Sequence, residues 1–446
     1  MGEELENKTG ALVFCGSTAW DWIGRRNGKG APNKEKMAEM EYSSPHVYGP
    51  AAYINVQKVF THCTSAHAVL LDDGGHAFTF GRNDKGQLGD GSTIARDDPF
   101  KIELDEKVVF AATGRGHTIL VTESGKVFGA GDNKLWQALG SEAKDPTTFT
   151  QVDGLESEKV VSASCGIDFT IVLTEDGKLF GFGSPQFGQL GDGSDHSYIG
   201  STNRMIYNPQ PPKEITGIGK RVLQVASGSN HSHCLVQGGS VYSWGSCGYG
   251  RLGLNESPPK DTMVPAEISG FGGVNPVERI AVGPTCGMLI DSRGSLHLWG
   301  KWKNSGDGGQ GTPWLYPKYF SGLSGWSVTD IAAGGTSLFA LSEESTISWG
   351  QGCVHGEMGH GPNRARSATN AVKVDDLEGF RVMGVACGLG NTLLIVDKDD
   401  AKFEKLPVLG ESVTEAPVQE IKKKTTAKRK ATDTSEKVGK VTKVDE

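Results

Sequence analysis

Three recurring histidines, two glycine-rich runs, eight cysteines and a lysine-rich end are the parts of this chain whose chemistry invites a function. His67, His117 and His231 recur at one place in a repeated pattern, and converging imidazoles would suit a metal ion. Elsewhere that place holds Phe169, Cys286, Ser337 and Asn391, so the histidines are expected to bond neighbouring turns, with no metal site. The runs from Gly248 to Gly253 and from Gly306 to Gly311 both read Gly-x-Gly-x-x-Gly. A dinucleotide site needs such a run to open a helix after a strand; neither run does, so no cofactor is expected. The cysteines stand at 15, 63, 165, 234, 247, 286, 353 and 387, with no Cys-x-x-Cys pair. Buried free thiols in a reducing compartment are the expected result. Gly-x-Ser-x-Gly, His-Glu-x-x-His and P-loop signatures are missing from the sequence, so no catalytic residue and no conventional enzyme are expected.

The elements that position these residues are written as a repeated phrase. Phe78 to Gly89 reads FTFGRNDKGQLG, Leu179 to Gly191 reads LFGFGSPQFGQLG, and Val241 to Gly253 reads VYSWGSCGYGRLG. Its core glycines are Gly16, Gly81, Gly131, Gly183, Gly245, Gly300 and Gly350, at intervals of 65, 50, 52, 62, 55 and 50 residues. A period near fifty marks a repeat architecture. A second phrase precedes six of the glycines, as in Ala112-Thr113-Gly114-Arg115-Gly116-His117-Thr118. Its seventh copy, Ala386-Cys387-Gly388, has no aromatic-Gly strand after it, and the strand at 11–16 is the orphan partner. Borrowing that strand would close a disc of blades and leave no open edge. The apolar runs are four to six residues long, bounded by Gly, Asp, Asn or Ser, and rich in Val, Ile, Phe and Thr, which predicts an all-β, seven-bladed propeller. Phe80, Phe182, Trp244, Trp299 and Trp349 are expected to fill the space between blades, and Trp20 and Trp22 to cover the closing strand.

The two phrases resemble the regulator of chromosome condensation repeat family over residues 11 to about 397. The stretches LVFCGSTAWDWIGRR at 12–26, GYGRLG at 248–253 and ESTISWG at 344–350 bring it nearest to the family's second, mitotic-regulator member. The resemblance implies a disc that presents loops to protein partners, among them small GTPases and chromatin components, in cell-cycle or nuclear regulation. It also implies a second reading, guanine-nucleotide exchange on a small GTPase by a loop wedge, which needs no catalytic triad. The light-sensing members carry Gly-Trp-Arg-His-Thr, a pentapeptide this sequence lacks.

Two insertions interrupt the phrase, and loops so long in a compact fold carry function or lack order. Residues 192–220 keep Tyr198, Met205, Ile206 and Tyr207, too apolar for a plain linker. Exposed aromatics, Met and Arg dominate interface energies, so Arg204, Met205 and Tyr207 are the candidate partner-binding residues, and Pro209, Pro211 and Pro212 would stiffen them. The competing expectation is that 205–207 form the outer strand of a blade. Residues 301–326 hold Trp302, Trp314, Tyr316, Tyr319 and Trp326. Residues 25–57 read as a polar surface excursion.

The 446 residues carry a net charge of −8. From 421 to 443, nine basic and two acidic residues give +7, which leaves −15 for the remainder. This divides the chain into a flexible N-terminus at 1–10, a propeller at 11–397 and a disordered basic tail at 398–446. Lys422, Lys423, Lys424, Lys428, Arg429 and Lys430 are the candidate nuclear-localisation residues, able also to make weak nucleic-acid contact. The opening MGEELENKTG does not read as a signal peptide, and no apolar run approaches membrane-spanning length. A monomer is expected, in the nucleus with a cytoplasmic pool.

Overall fold

The computed structural model describes residues 8–25, 32–256, 258–303, 313–411 and 413. Seven sheets, antiparallel but for one short pairing at the edge of the last, follow one another around a ring. Blade 1 runs from Val56–Phe60 to Arg96–Lys101, blade 2 from Val108–Thr113 to Thr150–Gln151, and blade 3 from Val160–Cys165 to Gln210–Ile215. Blade 4 runs from Val222–Ser227 to Thr262–Glu267, blade 5 from Val277–Val282 to Trp314–Tyr319, and blade 6 from Asp330–Ala333 to Ala368–Lys373. Helix is confined, among the described residues, to Lys34–Ala38 and a few single turns.

Blade 7 is the closure. Val382–Cys387 and Asn391–Val396 come from the end of the chain, and Ala11–Ser17 pairs antiparallel with the latter from Ala11 opposite Val396 to Gly16 opposite Asn391. All seven residues of Ala11–Ser17 are buried. The expected closing strand is therefore present.

Two boundaries differ from expectation. Residues 25–57 are not a plain excursion, because Glu41–Tyr48 is the outer strand of blade 7, with Val13 opposite Val47. Its last residue, Tyr48, is buried and donates its hydroxyl to Asp97 O at 2.7 Å. The sheet also runs past 397: Val408–Leu409 pairs in parallel with Val47 and Tyr48, and Val413 N donates to Gly49 O at 3.2 Å. A tail beginning at 398 is thus too early, since the first part of it completes the edge of the blade. Residues 414–446 lie outside the described residues.

The second strand of each blade is covered on both faces by its neighbours. His117–Thr122, Phe169–Thr174 and His231–Val236 are buried at every position, which is why they read as continuous apolar runs and not as alternation. Phe80, Phe182, Trp244, Trp299 and Trp349 are fully buried, as expected of inter-blade fillers. The glycine after each lets the third strand cross close to the second. Gly81 has φ +107°, and a Cβ there would lie 2.6 Å from His67 Cα.

The repeated histidines latch blade to blade. His67 Nδ1 lies 2.8 Å from Ser65 Oγ, and Nε2 lies 2.7 Å from Thr118 Oγ1 of the next blade. Thr118 in turn donates to Gln87 O at 2.7 Å, so its hydroxyl accepts from Nε2–H and the tautomer is fixed. His117 and Thr170 repeat the contact at 3.0 Å. Burial lowers both histidines to about 3, so they are neutral latches. In blade 5 the threonine is replaced by Gly287, and Trp299 Nε1 takes over by donating to Arg251 O at 2.9 Å.

A candidate partner face

The start of each second strand pairs with the end of the third, as Phe169 does with Gly183. The turn between strands one and two therefore emerges on the same side as the loop between strands three and four. Call this the front face. The repeat places its Gly-rich turns and its Gly-Gln-Leu-Gly loops there, together with the part of the first insertion that precedes Gln210.

At the centre of the front face lies a basin of about 820 Å³. Next to Cys63 and Thr64 of its lining, His62 of blade 1 reaches across the ring, its Nε2 2.7 Å from Ser227 O of blade 4. Burial lowers His62 to about 4, which keeps this cross-ring contact neutral. Three of the basin's cations are paired with carboxylates, while Lys134 also lines it. Arg25 meets Asp84 at 2.6 Å, Arg115 holds both oxygens of Asp168 at 2.7 and 2.9 Å, and Lys85 stands 4.0 Å from Asp132. Arg82 Nε donates to Trp20 O at 2.9 Å and its other arm to Ile23 O, which ties the chain after the closing strand to blade 1. Burial raises Asp84, but the bonds and charges of Arg25 and Arg82 outweigh it and hold the carboxyl below its ordinary range. The basin is thus an internally braced surface in which Asp84, Asp132 and Asp168 each meet a cation.

The rim on blades 3 to 5 differs. Ser197–Ile199 pairs with Met205–Tyr207, Tyr198 opposite Ile206, as a two-stranded hairpin of its own. Gly200 N donates to Arg204 O at 2.9 Å and Asn203 takes φ +56°, which closes the turn. The outer strand of blade 3 is Gln210–Ile215, so the expectation that 205–207 form a blade's outer strand is overturned. Pro211 and Pro212 belong to that outer strand, an edge position where proline costs no ladder bond, and not to the hairpin. The base of the hairpin is pinned by Asp192, which bonds His196 Nε2 at 2.7 Å and Lys213 Nζ at 3.0 Å. Above that base the side chains are bare: Ile199 is 68% exposed, Met205 56%, Tyr198 46% and Ile206 39%. Arg204 is exposed and Tyr207 half-buried. The structure therefore brings Arg204, Met205 and Tyr207 together on one projecting element. Lys422, Lys423, Lys424, Lys428, Arg429 and Lys430 lie outside the described residues.

Next along the rim come residues that sequence reasoning did not single out for binding. Tyr249 of blade 4 is 48% exposed, with Lys301 Nζ 5.0 Å from its ring centre. Trp302 of blade 5 packs edge-on against Trp314 at 5.7 Å and carries Lys303 Nζ 4.8 Å from its ring. Their signal was in the sequence as departures from the repeat: Arg251 for the usual Gln, and Trp302 for the Asn of blades 1 and 2.

A family model described as RCC1-like domain matches residues 11–394. The chain belongs to the RCC1-like domain family. Protein RCC2 homolog of Xenopus laevis is 34% identical over 421 residues, covering 89% of this chain and 80% of that protein. Protein RCC2 of Homo sapiens is also 34% identical, over 422 residues, covering 90% of this chain and 79% of that one. The expected nearness to the family's second member agrees with these matches. Prp20p from Saccharomyces cerevisiae, whose crystal structure was described with its binding properties to Gsp1p and histones, has a TM-score of 0.71 at 20% identity. It covers 91% of this chain and 97% of its own, and supports the propeller fold.

Proposed function

We propose that this RCC1-like propeller is a protein-interaction module that binds a small GTPase or a chromatin-associated protein on its front face. The observation that carries the reading is the hairpin. A disc with braced blades has no structural use for Tyr198, Ile199, Met205 and Ile206 in solvent, and each such side chain adds binding energy when a partner covers it. Family membership gives the partner class, since partners of the resembled family include small GTPases and chromatin. Arg204, Met205 and Tyr207 are the contact residues. The basic residues Lys422 to Lys424 and Lys428 to Lys430 direct the protein to the nucleus, and a cytoplasmic pool remains.

The same hairpin favours a second reading, nucleotide exchange, because a projecting two-stranded element is a shape that can wedge between a GTPase and its nucleotide. The two are separated by loading a panel of small GTPases with a fluorescent GDP analogue and following release and binding together. Binding without faster release supports the interaction module. Release accelerated at catalytic amounts of the propeller establishes exchange. No binding to any GTPase or to histones removes both.

A further inference from the structure

The loop after the third strand has a common lock. Gln87 Oε1 accepts the Lys85 N–H at 2.8 Å, Gln137 the Leu135 N–H at 2.8 Å, Gln189 the Phe187 N–H at 2.7 Å, and Glu357 the His355 N–H at 2.8 Å. In blade 4 the position is Arg251, whose guanidinium only donates. Its Nε turns to Gly248 O at 2.6 Å, and the loop tightens into the single turn Gly248–Gly250. Tyr249 is left at φ +64°, a conformation that costs a bulky side chain energy. Its ring faces outward between the Arg251 guanidinium, 5.6 Å from the ring centre, and Lys301.

Blade 5 departs at the neighbouring place. Asn83 and Asn133 knit the loops of blades 1 and 2, Asn83 by accepting Leu88 N–H at 3.0 Å and Asn133 by accepting Leu139 N–H at 2.9 Å. Trp302 stands there in blade 5, packs on Phe320 at 5.6 Å, and leaves Lys301 and Lys303 on either side. Between these substitutions opens a cleft of about 270 Å³, walled by Tyr249, Thr285, Lys301, Trp302, Lys303 and Thr336. Among the described residues that line it there is no Asp or Glu. That lining decides its chemistry: two lysines and two aromatic faces meet here with no carboxylate among the described residues, whereas Arg25, Arg115 and Lys85 in the basin each have one.

We propose that this cleft is a binding subsite for an anionic side chain of a partner protein segment, a carboxylate or a phosphorylated hydroxyl. Lys301 and Lys303 take the anion, and Tyr249 and Trp302 cover the apolar atoms beside it. The volume is at the lower end of ligand pockets, which suits a side chain better than a whole nucleotide. The subsite stands on blades 4, 5 and 6, includes no residue of the hairpin of blade 3, and does not depend on the hairpin being an interface.

The test is fluorescence anisotropy with a labelled decapeptide of glutamates around one phenylalanine, its all-glutamine counterpart, and a version with phosphoserine for glutamate. The full-length protein is compared with Lys301→Gln/Lys303→Gln and with Arg251→Gln, each checked by melting temperature. The expected result is binding of an anionic peptide, no binding of the glutamine peptide, and roughly tenfold weaker binding by the double variant. Arg251→Gln restores the lock on residue 249 and should weaken binding as well. Whichever anionic peptide binds tighter identifies the carboxylate or the phosphate. An Arg204→Ala/Met205→Ala/Tyr207→Ala variant should bind the peptide as the parent does, which separates this subsite from the hairpin. Equal affinity of the parent and the double variant overturns the proposal. So does failure of both anionic peptides, or inorganic phosphate binding as tightly as the peptides, which would mark a free-ion site.

Discussion

Phe14→Ala tests the closure of the ring without removing the strand that makes it. Phe14 is fully buried in the middle of Ala11–Ser17. Its ring meets Trp20 at 6.0 Å, Tyr42 at 6.2 Å and Tyr48 at 5.6 Å, and Trp20 and Tyr48 go on to Phe80 of blade 1 at 5.9 and 5.2 Å. One side chain thus links the borrowed strand, the outer strand of blade 7 and the next blade. Emptying such a site costs about 3–5 kcal/mol in transfer and cavity terms. With an unfolding entropy of ~2.1 cal/mol/K per residue, a domain of roughly 400 residues moves about 1 °C per kcal/mol. The expected fall in Tm is therefore about 4–6 °C, with a matching shift of the urea midpoint at unchanged slope. Val408→Ala, on a half-exposed strand residue, serves as the control and should cost under ~0.5 kcal/mol. Deleting residues 1–17 goes further: it uncovers Asn391–Val396 as an open edge, so aggregation or a much larger fall is expected. A Phe14→Ala protein within about 1 °C of the parent, or a soluble truncation within about 2 °C, would refute the closure argument.

Three further outcomes follow from the same structure. Thr118→Val removes the hydroxyl between His67 Nε2 and Gln87 O and leaves both buried, so it should cost about 2 kcal/mol or more by denaturant titration, while Thr118→Ser should cost much less. His62 is lowered to about 4 and His67, His117 and His233 to about 3 by burial, against an ordinary value near 6.5. The unfolded chain binds protons that the fold refuses, so stability is complete above about pH 6.5 and falls below it by roughly 1.4 kcal/mol per pH unit for each such histidine, until the folded value is reached. A Tm that stays flat between pH 7 and pH 5 would contradict this. Changing Lys422, Lys423, Lys424, Lys428, Arg429 and Lys430 to Ala should leave Tm unchanged and lower nuclear accumulation, and equal nuclear signal for both proteins would reject the import role.

The fold was legible because the repeat repeats its physics. Gly81 needs positive φ and a close approach to His67, and the same need recurs at Gly131, Gly183 and Gly245. The orphan at 11–16 could be assigned because its partner phrase at 386–388 lacked a third strand. Glu41–Tyr48 escaped because EYSSPHVY carries Pro45 and polar residues, and its neighbours in the sheet, 11–17 and 408–409, are not next to it in sequence in the usual hairpin order. The hairpin was legible as apolar residues in a polar insertion, but not as a hairpin separate from the outer strand, since 205–207 and 210–215 are both extended. The cleft beside Tyr249 was visible only as broken repeat positions. Its significance comes from charge pairing between loops distant in sequence: Arg25 meets Asp84 and Arg115 meets Asp168, whereas the described lining around Lys301 and Lys303 offers no carboxylate.

The affinity of Arg204→Ala/Met205→Ala/Tyr207→Ala for the GTPase or histone partner selected by the parent, measured per folded molecule beside its Tm, tests the proposed interface most directly. These residues project from a base pinned by Asp192 and lend nothing to a blade's outer strand. The predicted result is an unchanged Tm and binding weakened by about 2 kcal/mol or more, roughly thirtyfold. Unchanged affinity together with a lowered Tm would contradict the account, because it would make the hairpin a part of the fold and leave the front face without its interface.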